Sequence, residues 1–282
     1  MRRTFSWLWL AVGVSGLAAG CGGLSGMDVA QVAVKVAPKM VQASRTINDQ
    51  EEYYVGRAVA ARVLAVHPLL ENPKLTLYVN EVGATVARKS TRPDTYRGYH
   101  FAVLETTDIN AFACPGGTIF ITRGMLELCQ SEDELAAVLA HEVGHVARKD
   151  GINSIQQARW SEVLTAIGTE TAKQKGGAAG QLATLFEGSI DDVFKTIVVN
   201  GYGRAAEEAA DAQAVETLRR AGYDPHALAA VLSRMTAKGG GGIFKTHPPT
   251  SQRLASVEAK MGGAAKPKGV EARVERFKSQ KL

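Results

Sequence analysis

Two histidines and a glutamate lie within five consecutive residues, in the segment H-E-V-G-H at 141–145. On an α-helix, residues four positions apart share one face, so His141 and His145 can bind one metal ion through their imidazole nitrogens. Glu142 lies beside them, where its carboxylate can take a proton from water near the metal. The spacing predicts half of a catalytic zinc centre. The alternative is a pair of structural histidines beside a solvated glutamate.

The residues around this segment predict the helix that such a centre needs. Ser131 and Glu134 have the spacing of a capping box at a helix N-terminus. Apolar residues then recur at helical spacing until Lys149-Asp150-Gly151 ends the run. These apolar residues are Leu135, Val138, Leu139, Val143 and Val146. We therefore expect a mostly buried helix that carries the histidines.

A catalytic zinc ion needs three protein ligands and one open position, so a third ligand must lie downstream. The metzincin pattern requires glycine at 148 and histidine at 151, where this chain has Arg148 and Gly151. That pattern is therefore excluded. Glutamates at three positions remain as candidates for the third ligand, namely Glu162, Glu170 and Glu207.

Among these glutamates, Glu207 is followed four residues later by another acid, Asp211. Both carboxylates then face the same way on one helix, so the first can bind the metal while the second accepts a hydrogen bond from a ligand histidine. Glu162 and Glu170 have no such companion acid. From the residues alone, a solvated acidic face near Arg204 is an equally good interpretation of this segment.

Four motifs in order resemble the gluzincin metallopeptidases of the HtpX/BepA/LoiP group, over residues 52–257. They are N-A-F-A-C-P-G-G at 110–117, H-E-V-G-H at 141–145, R-x-x-E-x-x-A-D at 204–211 and H-P-P-T-x-x-R at 247–253. One departure is Gly203, where the family often has serine. The chain has no further apolar run near 20 residues, which favours the BepA/LoiP-like branch of periplasmic lipoproteins or soluble proteins.

The resemblance implies a role for each matching residue. His141, His145 and Glu207 are expected to bind one Zn²⁺ per chain, and Glu142 is expected to act as the general base. Asp211 and Arg204 are expected to contact the metal-binding side chains without contacting the metal itself. The strand at 118–122 resembles an active-site edge strand that pairs with substrate. Substrate would then be bound by Asn110, Gly116, Gly117 and Thr118. The alternative is that residues 110–117 form a plain connection between strands.

His247 follows a glycine run at 239–242 and precedes two prolines, so it lies in a segment suited to movement. By resemblance it can enter the cleft and fill the open position of the metal, which would close the enzyme. It can instead hydrogen-bond the tetrahedral intermediate, or be a simple loop histidine. The sequence leaves these alternatives open.

The first twenty residues are typical of a signal peptide, with Arg2 and Arg3 before an apolar run from Phe5 to Ala19. The segment ending in Gly20-Cys21 resembles a bacterial lipoprotein box, which predicts acylation of Cys21. The glycines after Cys21 favour anchoring to the outer membrane, in the periplasm. Cleavage removes two arginines and no acids, so the formal charge falls from +5 to +3, too little to indicate nucleic acid binding.

The predicted fold class is mainly α with a small β-sheet (α+β), a zincin-like metallopeptidase domain. We expect strands at 100–105 and 118–122, and helices at 74–89, 152–172, 181–199 and 204–220, with a Gly-rich linker at 173–180. The domain boundaries follow: a signal peptide at 1–20, a tether and helix at 21–51, the catalytic domain at 52–262 and a basic tail at 263–282, expected to be a solvated helix.

Three functions are consistent with these features. The first is a zinc metalloendopeptidase that degrades unfolded, misfolded or unassembled cell-envelope proteins. The second is an outer-membrane protein assembly factor or chaperone whose protease site is normally closed, with the assembly machinery as partner. The third is a structural metal-binding lipoprotein, which Glu142 disfavours because a purely structural site needs no general base.

Overall fold

The computed structural model describes residues 46–154, 193–237, 246–247, 251–263 and 266–280. Several predicted features lie outside these residues. They are the signal peptide at 1–20, Cys21, the tether up to residue 45, most of the helices at 152–172 and 181–199, the linker at 173–180, the glycine run at 239–242, and the alternative ligands Glu162 and Glu170.

The described residues are mainly helical and contain one small sheet, which confirms the predicted fold class. The helices are α1 (Asp49–Val66), α2 (Pro73–Ala87), α3 (Arg123–Leu128), α4 (Glu132–Ala147), α5 (Arg204–Ala221), α6 (His226–Ala237), α7 (Ser251–Met261) and α8 (Val270–Lys278). The strands are β1 (His100–Leu104), β2 (Ala111–Ala113) and β3 (Thr118–Thr122). Within the described ranges, no helix is long and apolar enough to span a bilayer.

The sheet has the order β1-β3-β2, with β3 in the middle. β1 pairs with β3 in parallel, from His100 opposite Thr118 to Leu104 opposite Thr122. β2 pairs with β3 in the antiparallel sense, with Phe112 opposite Phe120. The strand β2 was not predicted, because three residues are too few to display an alternating pattern.

Helix α4, which carries the H-E-V-G-H segment, passes through the main core of the protein. Every residue from Glu132 to Val146 is buried, so the helix is covered on all sides. Its N-terminus is capped as predicted, since the Ser131 hydroxyl accepts the backbone N–H of Glu134. The Glu134 side chain does not complete the capping box. It accepts the N–H of Gln130 and pairs with Arg234 instead.

Three consecutive acids begin α4, and each is buried against an arginine from a later part of the chain. Glu132 pairs with Arg276, Asp133 with Arg273 and Glu134 with Arg234. Burial alone raises the pKa of Glu132, but hydrogen bonds from Arg276 and Tyr78 outweigh burial and lower it. Carboxylates near a helix N-terminus also interact favourably with the helix dipole. These pairs hold α4 in place at its first turn.

The prediction of a solvated basic tail is wrong for one face of α8. Arg273 and Arg276 reach the buried acids of α4, and Phe277 is 5% exposed. Sequence composition could not reveal this, because the acids that pair with the tail lie about 140 positions earlier in the chain. Helix α8 packs against the folded core through Phe277 and these two arginines, while Glu271, Ala272, Glu275 and Lys278 are exposed.

We expect Arg273→Gln to lower the free energy of unfolding by about 3 kcal/mol, because it leaves the buried Asp133 carboxylate without its cation. In the parent structure, Nε and Nη2 of Arg273 lie 2.8 and 2.9 Å from the two carboxylate oxygens of Asp133. Urea denaturation followed by circular dichroism measures the difference.

Lys278→Gln is the matched control on the same helix. The Lys278 ammonium pairs with Glu275, and both side chains are exposed, by 61% and 74%. Exposed ion pairs contribute little to stability. Equal losses for the two variants would show that α8 does not anchor α4 through Asp133.

Candidate active site

Two helices bring the predicted site residues together. Helix α4 supplies His141, Glu142 and His145, and helix α5 crosses it with Glu207 directed at the same point. Gly144 makes this crossing possible, because a Cβ atom at its position would lie 3.2 Å from the carbonyl oxygen of Ala210. A side chain at this position would therefore require the two helices to separate by a few tenths of an ångström.

Four side chains offer donor atoms within 4.8 Å of one another: His141, His145, Glu207 and His247. The Nε2 atoms of the two α4 histidines are 3.1 Å apart. Each of them lies 3.4 Å from a carboxylate oxygen of Glu207. Nδ1 of His247 lies 3.2 Å from Nε2 of His141 and 3.1 Å from Oε1 of Glu207. All four residues are buried.

These separations fit a tetrahedral metal ion. Zinc binds imidazole nitrogen and carboxylate oxygen at about 2.0–2.2 Å, which places neighbouring donors of a tetrahedron about 3.3–3.5 Å apart. The measured separations of 3.1–3.4 Å are close to that value. A set of two imidazoles and one carboxylate is also a donor set found in catalytic zinc sites. The residues present therefore suit a divalent metal ion.

Each of the two α4 histidines has a carboxylate next to its Nδ1 atom. Nδ1 of His141 lies 2.9 Å from Oδ1 of Asp211, the arrangement expected from the spacing of Glu207 and Asp211. Nδ1 of His145 lies 2.8 Å from Oδ2 of Asp150. A carboxylate at Nδ1 keeps a proton there and leaves Nε2 free to bind a metal. Both histidines are thus oriented with Nε2 toward the common point.

Asp150 and Tyr202 are site residues that the sequence analysis missed. Asp150 was assigned only to the end of α4. Lys149 adopts φ of +57°, which turns the chain so that Asp150 faces back toward His145. The Tyr202 ring stacks on the His145 ring with centroids 4.4 Å apart. An acid five residues after the second histidine was the available signal for Asp150, whereas nothing local distinguished Tyr202.

Arg253 supports the two α5 carboxylates. Its Nε and Nη2 lie 2.7 and 2.8 Å from the oxygens of Asp211, and its Nη1 lies 2.9 Å from Oε2 of Glu207. The residue is 2% exposed. The prediction that Arg204 has this role is wrong, because its side chain is exposed and donates to Gln252. Arg204 begins α5, whereas the face that carries Glu207 and Asp211 receives Arg253 from α7.

The charges around the site favour a cation at its centre. Burial alone raises the pKa of Asp211, but hydrogen bonds to Arg253 and His141 lower it to about 2. Burial likewise raises the pKa of Glu207, and its three histidine neighbours lower it far below the usual value. Burial lowers the pKa of His141, while its contacts with Asp211 and Glu207 raise it to about 10. The carboxylates are therefore ionised and able to stabilise positive charge.

Glu142 lies next to the donor cluster without being part of it. It is 2% exposed, and its Oε2 has no hydrogen-bond partner among the described residues. Its Oε1 lies 3.6 Å from Nε2 of His247. A buried carboxylate oxygen without a partner is rare, because its desolvation is not compensated. This oxygen is available to a water molecule or substrate group beside the metal position.

The prediction of β3 as an active-site edge strand is wrong, because both of its edges are occupied by β1 and β2. The turn before it faces α1: the Gly116 N–H donates to Glu52, and a Cβ at Gly116 would lie 2.7 Å from the Tyr53 Cα. A Cβ at Gly117 would lie 3.0 Å from the carbonyl oxygen of Gly98. These glycines, together with Thr118 as the first residue of β3, form the packing of the sheet against neighbouring segments.

The outer edge of the described sheet nearest the site belongs to β2, and all three residues of this strand are buried. Thr122 and Cys114 donate to Asn110 and to Thr118 respectively, so the backbone groups of Ala111 and Ala113 point away from β3. Asn110 lies at the site end of this strand, where its Oδ1 accepts the Ala111 N–H and the hydroxyl of Thr246, the neighbour of His247.

Arg253→Gln is expected to weaken zinc binding about 10- to 100-fold, because the residues behind metal ligands affect affinity by that factor. The substitution removes the cation that holds Glu207 and Asp211 in place. Titration of the metal-free protein with zinc against a fluorescent chelator measures the dissociation constant, and circular dichroism checks that the variant is folded.

Arg204→Gln is the matched control, since Arg204 lies near the same helix but on the exposed side. We expect its zinc affinity to equal that of the parent chain. Equal dissociation constants for Arg253→Gln and the parent would contradict the role assigned to Arg253.

Comparison with known proteins agrees with this geometry. The sequence model of peptidase family M48 matches residues 73–261, which include all four donor residues as well as Asp211 and Arg253. This family uses a divalent metal ion, and the match confirms the metallopeptidase group predicted from the four motifs.

Three relatives illustrate the range of similarity. The chain is 27% identical to the beta-barrel assembly-enhancing protease of Escherichia coli K12, over 82% of this chain and 50% of that protein. It is 28% identical to the mitochondrial metalloendopeptidase OMA1 of Schizosaccharomyces pombe, over 65% of this chain and 52% of that protein. It is 24% identical to the metalloprotease LoiP of Escherichia coli K12, over 67% of this chain and 69% of that protein. The chain spans about half the length of the beta-barrel assembly-enhancing proteases that it matches. With the family model covering well over half of its residues, the chain belongs to peptidase family M48.

Proposed function

We propose that this chain is a zinc-dependent endopeptidase that hydrolyses peptide bonds of misfolded or unassembled cell-envelope proteins, with one Zn²⁺ per chain. One observation carries the proposal: His141, His145 and Glu207 converge with metal-like spacing beside the buried, unpartnered Oε2 of Glu142. A structural site has no use for such an oxygen, whereas a hydrolase needs a base at this place.

The residues of the site divide the chemistry between them. When bound there, a zinc ion polarises the scissile carbonyl and lowers the pKa of water toward about 7. Glu142 takes the proton of the attacking water and later delivers it to the leaving amine. Asp211 and Asp150 keep protons on Nδ1 of the two histidines throughout, and Arg253 keeps the carboxylates of Glu207 and Asp211 in place.

We propose that substrate binds as an extended chain along the outer edge of β2. The backbone groups of Ala113 and the carbonyl of Ala111 point away from β3 and can form main-chain hydrogen bonds with an added strand, whereas the Ala111 N–H already donates to Asn110 Oδ1. Because β2 is buried, the residues that cover it must move before a strand is added. Such pairing requires a segment that is not already paired in its own fold. The cleft would therefore select unfolded polypeptide over any particular folded surface.

We propose that His247 acts as a fourth donor at the metal position, which a water molecule needs for hydrolysis. The support is its Nδ1, which lies 3.1 Å from Oε1 of Glu207 and 3.2 Å from Nε2 of His141. We propose that this is a closed state, from which His247 must withdraw before substrate is cleaved. The alternative role, a stabiliser of the tetrahedral intermediate, would use Nε2, which lies 3.6 Å from Oε1 of Glu142 while Nδ1 faces the donor residues.

We further propose that the mature chain is a periplasmic lipoprotein attached to the outer membrane through Cys21. The support is the sequence before Cys21 and the similarity to beta-barrel assembly-enhancing proteases, which include a putative one. That similarity also supports the second candidate function, an assembly factor for outer-membrane proteins whose protease site is normally closed. In both cases unfolded envelope proteins are the partners, and nucleic acid is not.

Replacing Glu142 by Gln is expected to lower kcat for cleavage of unfolded casein by about 10²- to 10⁴-fold, because the amide cannot accept the proton of water. Zinc binding is expected to be retained, since Glu142 is not among the donor residues. Release of acid-soluble peptides measures cleavage, and zinc content is measured on the same samples.

Glu216→Gln serves as the control, because Glu216 is on α5 and its exposed side chain pairs with Arg220. Its activity should match the parent chain. Unchanged casein cleavage by Glu142→Gln would contradict the proposed endopeptidase mechanism. Loss of bound zinc in that variant would contradict the assignment of Glu142 as base only.

His247→Ala is expected to raise casein cleavage several-fold, because it removes the side chain that occupies the fourth position. His226→Ala is the control, since His226 is partly exposed and contacts Asp224 far from the donor cluster. Initial rates at equal zinc loading measure the effect. A lower rate for His247→Ala would instead assign His247 as a stabiliser of the reaction.

A further inference from the structure

The chain leaves helices α2 and α4 through the same four residues, Val-Ala-Arg-Lys, at 86–89 and at 146–149. In both, the backbone N–H of the lysine donates to the carbonyl oxygen of the valine, at 2.9 and 3.0 Å. The arginine has a right-handed backbone in both. The lysines nevertheless differ, because Lys149 has a φ of +57° whereas Lys89 does not adopt a positive φ. Two identical segments therefore leave their helices in different directions.

The left-handed backbone of Lys149 is unfavourable in itself, because the Cβ atom comes close to the following carbonyl oxygen. The residue that takes this conformation after a helix is usually glycine. Lys89 follows the same three residues and avoids the conformation, so these residues do not impose it. Contacts elsewhere in the protein must stabilise it.

The side chain of Lys149 contacts two acids in the first turn of α1. Its Nζ lies 2.6 Å from Oδ1 of Asp49 and 3.4 Å from Oε2 of Glu52. The hydrogen bond from Lys149 holds the pKa of Asp49 below its usual value, so this carboxylate is ionised at neutral pH. Glu52 is fully buried, and Arg92 pairs with both acids. Two acids and two cations therefore lie together, and removing the Lys149 ammonium would leave one acid in excess beside a buried carboxylate.

The left-handed turn determines where the next side chain lies. Asp150 is 6% exposed, and its Oδ2 lies 2.8 Å from Nδ1 of His145. With a negative φ at Lys149, as at Lys89, the chain would leave α4 in another direction and the carboxylate would not reach His145. A carboxylate at this nitrogen fixes the orientation of a histidine that binds metal. The backbone of Lys149 thus affects the geometry of a metal ligand.

We propose that Lys149 is a positioning residue for the metal centre. Its ammonium group, held by Asp49 and Glu52, maintains the left-handed turn that places Asp150 against His145. The first turn of α1 thereby acts on a metal ligand through successive contacts, from Asp49 to Lys149, Asp150 and His145. This inference rests on the proposed function and adds to it a residue outside the donor cluster.

Lys149→Met keeps the Cβ atom and a long side chain but removes the charge. We expect this variant to bind zinc about tenfold more weakly than the parent chain, because groups that orient metal ligands affect affinity by about 10- to 100-fold. Titration of the metal-free full chain with zinc against a fluorescent chelator measures the dissociation constant.

Lys89→Met is the matched control, since Lys89 ends the same four-residue segment and its side chain is exposed. Its zinc dissociation constant should equal that of the parent. A parent-like dissociation constant for Lys149→Met, or an equal loss in Lys89→Met, would overturn the proposal.

Lys149→Gly separates the turn from the charge. Glycine adopts a positive φ without strain, so the turn can form without the ion pairs. We therefore expect Lys149→Gly to recover most of the zinc affinity that Lys149→Met loses. Equally weak binding by the glycine and methionine variants would show that Lys149 does not act through the turn, which contradicts the proposal.

Asp49→Asn tests the other side of the ion pair. It is expected to weaken zinc binding several-fold in the parent chain and to have little further effect in Lys149→Met, because the contact it removes is already lost. Fully additive effects of the two substitutions would contradict a path from α1 through Lys149.

Cobalt(II) absorption distinguishes positioning from a general loss of stability. The visible bands of cobalt(II) bound in the place of zinc depend on the geometry of its ligands. We expect Lys149→Met to shift these bands, and Lys149→Gly and Lys89→Met to keep the parent spectrum. A lower free energy of unfolding in Lys149→Met, with an unchanged cobalt(II) spectrum and zinc affinity, would show a merely structural lysine and overturn the proposal.

Metal binding also separates this inference from the proposed function. If the parent chain binds zinc but does not cleave casein, the endopeptidase proposal fails, and the dissociation constants still test Lys149. If the parent cleaves casein and Lys149→Met binds zinc equally well, the positioning role alone fails.

Discussion

The contact between the imidazoles of α4 and the carboxylates of α5 is the interaction on which the rest of the structure depends. Glu207 reaches both His141 and His145 in a buried space, where unpaired charges would be very costly. Arg253 lowers the cost of burying these charges, because it pairs with both Glu207 and Asp211. A metal ion at the centre would add the remaining positive charge. The charged side chains of the site thus stabilise one another only when all of them hold these positions.

These positions require a helix that does not shift, and α4 is fixed at both ends. Its first turn is bound by arginines from α6 and α8 through three buried acids. At its last turn, Arg92 donates to the carbonyl oxygen of Val146 and pairs with Glu52 of α1, which also binds the Gly116 N–H. Side chains held in this way keep metal donors within the few tenths of an ångström that coordination requires.

The sequence determined the parts of the site that depend on local geometry. His141 and His145 share a face because a helix has 3.6 residues per turn, and Glu207 and Asp211 do so for the same reason. Capping and glycine signals located helix ends as well: the Ser131 hydroxyl caps α4, and Gly222, with φ of +79°, ends α5. These relations involve residues a few positions apart, so no knowledge of packing was needed to predict them.

Only the tertiary structure decided which distant residues complete the site. Arg253 and not Arg204 binds the α5 carboxylates, because α7 packs over the face of α5 that carries them. Asp150 reaches His145 through a left-handed turn at Lys149, and the outer strand of the described sheet nearest the site is β2 because β1 and β2 enclose β3. The sequence proposed an edge strand from a resemblance, but strand order is set by pairing between segments. Charge pairing across 40 or more residues and strand order depend on how the chain packs, which residue spacing does not encode.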